Sequence, residues 1–300
     1  MTLRNRGRLA ILLAAVLWST SGVFVRFLSA PDIVLTVYRA LFAGLTMMVA
    51  LAALRIRPTW DWRMTGMILS FALMNYWYMT AINRTTAANA VFLQYSAPLF
   101  VFLAGVLLLG EPFRMREFLA VTLGAAGVVV LIIGEVSRGD GIEKALAYGL
   151  LSGAGFAAVV VFLRLLRGHP PLWLTGLNQL SAAGAAALVA WLAWRLQGDS
   201  SFTQLWPPPE GRQMGLLALF GAFQFALPYV LFGWGLQHVR AEEAGVLALV
   251  EPMLNPVWTY LSHGEKPSGW TLLGGAILLA ALLWQTLGGE KETPETTPAS

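Results

Sequence analysis

The chain is a series of long apolar stretches separated by short polar connections. A helix needs about 20 mainly apolar residues to cross the hydrocarbon core of a bilayer. The connections carry turn-forming residues, as in EVSRGDG and RGHPP. The pattern therefore predicts an all-α integral membrane protein with ten transmembrane helices. The predicted spans are residues 9–28, 33–54, 63–83, 87–109, 116–134, 145–166, 172–195, 213–236, 242–262 and 268–287.

The composition agrees with a membrane protein and excludes several other classes. The chain is 57% hydrophobic and 12% charged, against roughly 25% charged residues in a soluble domain. Its sequence pI is about 9.6, but the Lys and Arg residues stand at the ends of apolar runs and form no basic stripe, so nucleic acid is not expected as a partner. The absence of cysteine excludes disulfides and thiolate metal sites.

The distribution of basic residues predicts the orientation. Positive charge in short loops marks the cytoplasmic side. With the N-terminus inside, twelve Lys and Arg residues fall on the cytoplasmic side and seven on the outer side. We therefore expect a multi-pass protein of the bacterial inner membrane with both termini in the cytoplasm. The first span, which follows three arginines, is expected to be part of the domain rather than a cleaved signal peptide.

One segment of the sequence recurs. Residues 87–111 align without gaps on residues 241–265, with seven identities in 25 positions. Each copy falls on the fourth span of a group of five, and because five is odd the two groups cross the membrane in opposite senses. This predicts two inverted five-helix repeats, residues 1–140 and 141–289, around a central cavity, followed by a disordered cytoplasmic tail at 290–300.

The same segments resemble a known family. AINRTTAANAVFLQYSAPLFVFLAGVLLLGE, its second copy GLQHVRAEEAGVLALVEPMLNPVWTYLSHGE and the stretch YRALFAGL resemble the ten-helix, EamA-like branch of the drug/metabolite transporter superfamily. Within it the chain looks most like YddG-type exporters of aromatic and other neutral amino acids. The resemblance implies a basket of ten helices around a central cavity, with the fifth and tenth spans peripheral.

Polar side chains inside the spans are the candidates for a binding site. Such groups are costly in lipid, so they normally face the interior of the bundle. Each can bind substrate or serve as a bond between helices, and the sequence leaves both open. The candidate substrate-binding residues are Trp18, Asn75, Tyr78, Gln94, Asn178 and Gln224, and the candidate gating or coupling residues are Pro98, Pro228, Glu251 and Pro252.

Two charged residues lie within spans. Arg39 can snorkel outward or pair internally. Glu251 stands near the centre of span 242–262, ahead of Pro252. It can be a neutral brace that donates a hydrogen bond to a carbonyl freed by the proline, which the family resemblance favours, or it can gain and lose a proton during transport.

These features favour a secondary transporter of small molecules, with neutral and aromatic amino acids as the expected cargo. The alternative is an intramembrane lipid-modifying enzyme, which would need acid, base and nucleophile groups clustered at one depth. No catalytic residue and no cofactor is expected, and the three histidines are too far apart along the chain to indicate a metal site. The oligomeric state is not indicated.

Overall fold

The computed structural model describes residues 2–108, 110, 112–138, 142–197, 206–239 and 241–287, and over these residues the chain is helical without strands. The tail expected at 290–300 lies outside them. The helices are α1 (Leu3–Ser19), α2 (Ser21–Leu28), α3 (Asp32–Ala53), α4 (Arg63–Arg84), α5 (Ala87–Gln94), α6 (Ala97–Leu108), α7 (Met115–Val136), α8 (Glu143–Leu165), α9 (Pro171–Gln197), α10 (Gly211–Leu219), a π-helical segment (Phe220–Ala226), α11 (Leu227–Leu236), α12 (Ala241–Ala248), α13 (Val250–His263) and α14 (Gly269–Leu287).

The described helices lie along the predicted spans, but the stretches predicted as single spans at 87–109 and 242–262 are each divided into two helices. Within the described residues, seven helical segments are long and apolar enough to cross a membrane, and Gly269–Gln285 is a shorter apolar helix. The α4 helix has 22 residues, but the polar and aromatic stretch MNYWYM lowers its mean hydropathy. The region 241–263 is divided at Leu249, so neither of its helices reaches the length of a span. The chain is a multi-pass membrane protein.

The two copies of the recurring segment fold alike. Helix α5 spans 87–94 and α12 spans 241–248, so both ends of the second helix lie 154 positions after those of the first. In each copy the helix is interrupted and a second helix follows. Two glycines with left-handed backbones, Gly110 at φ 66° and Gly264 at φ 68°, are separated by the same 154 positions.

Helices of the first predicted repeat pack mainly against helices of the second. The extensive contacts join α3 to α9, α4 to α8 and α1 to α11, while α7 packs along α14. Glycine permits the close approach of α8 to α4, because a Cβ at Gly155 would lie 2.9 Å from Cβ of Met74. The space between the two sets of helices is therefore enclosed by both parts of the chain.

Candidate functional site

A cavity of about 670 Å³ lies between the two sets of helices. Its walls come from α1 to α6 on one side and from α8, α9 and the later helices on the other. Pro228 and Pro252 are buried but do not line it. The other candidates predicted from the sequence all line the cavity: Trp18, Asn75, Tyr78, Gln94, Pro98, Asn178, Gln224 and Glu251.

Arg39 is the cation on the described wall of this cavity. Its side chain is only 2% exposed, so the snorkelling expected as one possibility is wrong. Its Nη2 donates a hydrogen bond to Oδ1 of Asn75 on α4. The guanidinium carbon lies 4.2 Å from the ring centroid of Phe225 and 5.6 Å from that of Phe220. Two aromatic faces and one amide therefore hold the charge inside the bundle.

The π-helical segment places those aromatic rings. Gly221 lets this segment lie directly on α3, because a Cβ there would be 2.6 Å from the carbonyl oxygen of Arg39. The wider turn brings Gln224 and Phe225 to the cavity wall. The Gln224 Nε2 donates to the carbonyl oxygen of Trp18 over 2.9 Å. The π-helical segment thus contacts α1 and α3 and forms part of the cavity wall.

Glu251 accepts a hydrogen bond from across the cavity. The Tyr95 hydroxyl donates to its Oε2 over 2.9 Å. Tyr95 caps α5 at the first helix break, and Glu251 lies in the first turn of α13 after the second break. The contact seen for Glu251 is therefore with Tyr95, and Pro252 does not free a carbonyl inside a continuous helix as expected from the sequence. The helix is already interrupted before Val250, and a first-turn proline removes an N–H that has no intrahelical acceptor.

Tyr78 and Gln94 connect further helices around the same space. The Tyr78 hydroxyl lies 3.2 Å from Oγ of Ser21, which accepts from Nδ2 of Asn255 over 3.0 Å. The Gln94 Nε2 donates to Oγ of Ser152 over 2.9 Å. Both connections join the first predicted repeat to the second.

Aromatic rings form the apolar part of the wall. The Trp18 ring centroid is 5.0 Å from that of Tyr229 and 5.4 Å from that of Phe232. Phe71 and Phe156 also line the cavity. The site is therefore amphipathic, with polar groups set among large apolar surfaces.

Several buried polar atoms at the wall have no hydrogen-bond partner among the described residues. They are Nε of Arg39, Nδ2 of Asn75, Oδ1 of Asn178 and Oε1 of Gln224. Apart from tyrosines, Arg39 and Glu251 are the ionisable residues among the described lining. The described wall therefore carries polar atoms whose hydrogen bonds the chain itself does not complete.

A second, smaller pocket of about 350 Å³ lies at one end of the bundle. Glu135, which is 3% exposed, borders it. Its carboxylate accepts hydrogen bonds from Nδ2 of Asn89 at 3.2 Å, Oγ1 of Thr271 at 3.0 Å and Oγ of Ser268. We refer to Asn89, Glu135, Ser268 and Thr271 as the Glu135 cluster.

Sequence reasoning missed Arg39, Tyr95 and Tyr229 as lining residues. Arg39 could have been found, because an ionisable group within a span is a functional candidate by default. Tyr95 and Tyr229 carry no such signal, since tyrosine is also the usual residue at a membrane interface.

Comparisons with known proteins also indicate a transporter. The model of the EamA-like transporter family matches residues 5–133 and again 143–287. An uncharacterized transporter of Archaeoglobus fulgidus is 31% identical over 277 residues, which cover 92% of this chain and 95% of that protein. The pseudopaline exporter CntI of Pseudomonas aeruginosa is 27% identical over 221 residues, covering 73% of this chain and 72% of the exporter.

A solved crystal structure has the same fold. It superposes with a TM-score of 0.63 at 21% identity, and the match covers 96% of this chain and all of that one. At that identity the likeness concerns the fold alone. With its two matches to the family model and a transporter relative along nearly its whole length, the chain belongs to the EamA-like transporter family.

Proposed function

We propose that this protein is a secondary transporter that exports small amphipathic metabolites, in particular neutral and aromatic amino acids, across the bacterial inner membrane by alternating access. The observation that carries the proposal is the cavity between the two sets of helices, with aromatic walls and hydrogen-bonding atoms that have no partner in the described chain. Its volume of about 670 Å³ suits a small molecule.

Two inverted five-helix repeats with ten crossings provide the mechanical basis of this proposal. The equal spacing of α5 and α12, the matching left-handed glycines and the double match to the family model support the repeat. In transporters of this plan the halves rock against each other around a site at their interface. The hydrogen bond from Tyr95 to Glu251 joins the two helix breaks, so it is a contact that such rocking would alter.

The cargo is inferred from the wall of the cavity. Trp18, Phe71 and Phe156 supply surface for an apolar side chain, while Asn178 and Gln224 supply amide groups for a polar backbone. Amino acids with apolar side chains combine these two features in one small molecule. Export, rather than uptake, is supported by the relative that is named as an exporter.

Counterflow in liposomes tests the proposal. Purified protein is reconstituted into vesicles loaded with unlabelled phenylalanine, and entry of labelled phenylalanine is followed against protein-free vesicles. We expect transient accumulation that tryptophan and leucine suppress and that spermidine does not. Absence of counterflow for every amino acid tried would contradict the proposed cargo, and lipid turnover in its place would favour an enzyme.

Cysteine labelling tests the proposed orientation, because the chain has no cysteine of its own. A cysteine at Ser137, which follows α7, should react with a membrane-impermeant maleimide in intact cells. One at Ser300, outside the described residues, should react only after the cells are opened. The reverse pattern would refute cytoplasmic termini.

A further inference from the structure

Arg39 is buried without a counter-ion in the described part of the chain. None of the ion pairs within 4 Å among the described residues includes it. Its side chain is 2% exposed and lines the cavity. A guanidinium remains charged at any pH that proteins encounter. Such a charge inside a membrane bundle is costly unless an anion or several dipoles compensate it.

Within the described chain, one N–H of the Arg39 guanidinium has no hydrogen-bond partner. Asn75 takes one hydrogen of Nη2, and Phe225 covers a face of the group. The Nε–H has no partner in the described chain. Nη2 carries a second hydrogen besides the one donated to Asn75, and an Nε–H with an Nη2–H is the pair of donors, or fork, that binds the two oxygens of a carboxylate in parallel.

We infer that Arg39 receives the carboxylate of the transported compound through this fork, and that Asn75 is a positioning residue that holds the guanidinium. The inference rests on the proposed function, since it names the chemical group by which the same cavity selects its cargo. It defines the cargo class as small carboxylates with an apolar or aromatic body.

The surroundings of Arg39 favour a carboxylate over a doubly charged group such as a phosphate. Arg39 is the single cation on the described wall of the cavity. A dianion would need further positive charge in so apolar a site, whereas a planar monoanion matches one fork. Glu251 and the amide oxygens of Asn178 and Gln224 are acceptors on the same wall, so a compound that also carries an ammonium group finds partners for it.

Binding to the purified full-length protein tests this inference independently of transport. The probes are L-phenylalanine, its carboxamide L-phenylalaninamide, 3-phenylpropanoate and phenethylamine, and the measurement is the ligand-dependent rise in melting temperature in detergent. We expect the two carboxylates to half-saturate the protein at concentrations about tenfold or more below those of the amide and the amine, because a charge-assisted bidentate contact is lost in the latter.

Two variants identify the residue responsible. Arg39→Gln should abolish the preference for the carboxylates, and Arg39→Lys, which retains the charge but not the fork, should reduce it. The matched control is Arg84→Gln, which also removes one positive charge, but from an ion pair with Asp32 outside this cavity. It should leave the preference unchanged.

The wild-type panel decides the inference even if Arg39→Gln does not fold. Equal binding of acid, amide and amine, or no binding of the carboxylates, would overturn it, as would an undiminished preference in a folded Arg39→Gln protein. If the carboxylates bind selectively but no counterflow occurs, the proposed transport fails and the assignment of Arg39 stands. If phenylalanine counterflow occurs and the amide competes as well as the acid, the assignment of Arg39 fails alone.

Discussion

The Glu135 cluster and the central cavity are both built from buried polar side chains, but their hydrogen bonds are completed differently. In the cluster, three side chains donate to one carboxylate. In the cavity, Arg39, Asn75, Asn178 and Gln224 each keep a buried polar atom without a partner in the described chain. The Glu135 cluster is completed from within the protein, and the cavity is not.

We interpret the difference as one between a structural role and a functional one. An unsatisfied buried donor or acceptor costs about 1–3 kcal/mol, so most are paired in folded proteins. A completed cluster therefore contributes to stability and fixes the ends of α5, α7 and α14 together. Uncompleted groups around a cavity lower stability, and we interpret them as groups that bind cargo. Mutations should consequently affect folding in one region and transport in the other.

The largest expected effect is on the stability of the Glu135 cluster. Replacing Glu135 by Ala removes the acceptor that Asn89, Ser268 and Thr271 share, and leaves the weaker set of bonds among these three side chains. We expect the free energy of unfolding to fall by about 3 kcal/mol, since several buried donors lose a partner at once. Thermal unfolding in detergent measures the loss. Counterflow per folded molecule should keep its selectivity, and a change in cargo preference would contradict the division of roles.

A cavity substitution should show the opposite pattern. Asn178→Leu removes an amide whose Oδ1 has no partner among the described residues, so stability should rise, by about 1 kcal/mol. Counterflow of phenylalanine should fall by roughly tenfold, because a hydrogen bond to the cargo is lost. Leu188→Ala, at a site on α9 that is 55% exposed and does not line the cavity, is the control. If the Asn178→Leu protein is stable and transports phenylalanine at the normal rate, Asn178 does not bind the cargo.

The smallest effect is expected at Glu251. In Glu251→Gln the side chain keeps its shape and can still accept a hydrogen bond from Tyr95. If Glu251 only joins the two helix breaks, this variant should transport at a near-normal rate with an unchanged dependence on pH. Tyr95→Phe, which breaks the same hydrogen bond but leaves the carboxyl in place, is the matched comparison. Loss of concentrative transport in Glu251→Gln with counterflow retained would instead identify Glu251 as a proton carrier.

The sequence predicted the helices and much of the cavity wall, and particular residues show why the rest was missed. Hydrophobic length locates spans, and the recurrence of residues 87–111 anticipated the matching helices α5 and α12. Polar residues within spans faced the cavity because lipid excludes them, as Asn75 and Asn178 show.

Contacts between distant helices could not be read from the pattern. Arg39 is the eighth residue of α3, and from that depth a long side chain can reach the membrane interface. The packing of the π-helical segment on α3 keeps this side chain inside the bundle. Glu135 lies near the end of its span, where a carboxylate is normally hydrated. It is buried because residues of α5 and α14 meet it there.

Substrate protection of a single cysteine tests most directly whether the cavity is where cargo binds. The cysteine-free chain allows Val160→Cys in the wall of the central cavity and Ile142→Cys in the pocket beside Glu135. The rate of labelling by a small water-soluble thiol reagent is measured in reconstituted protein with and without saturating phenylalanine. We predict that phenylalanine slows labelling at position 160 and leaves position 142 unaffected. Equal rates at position 160 with and without phenylalanine, in protein that still shows phenylalanine counterflow, would contradict this account.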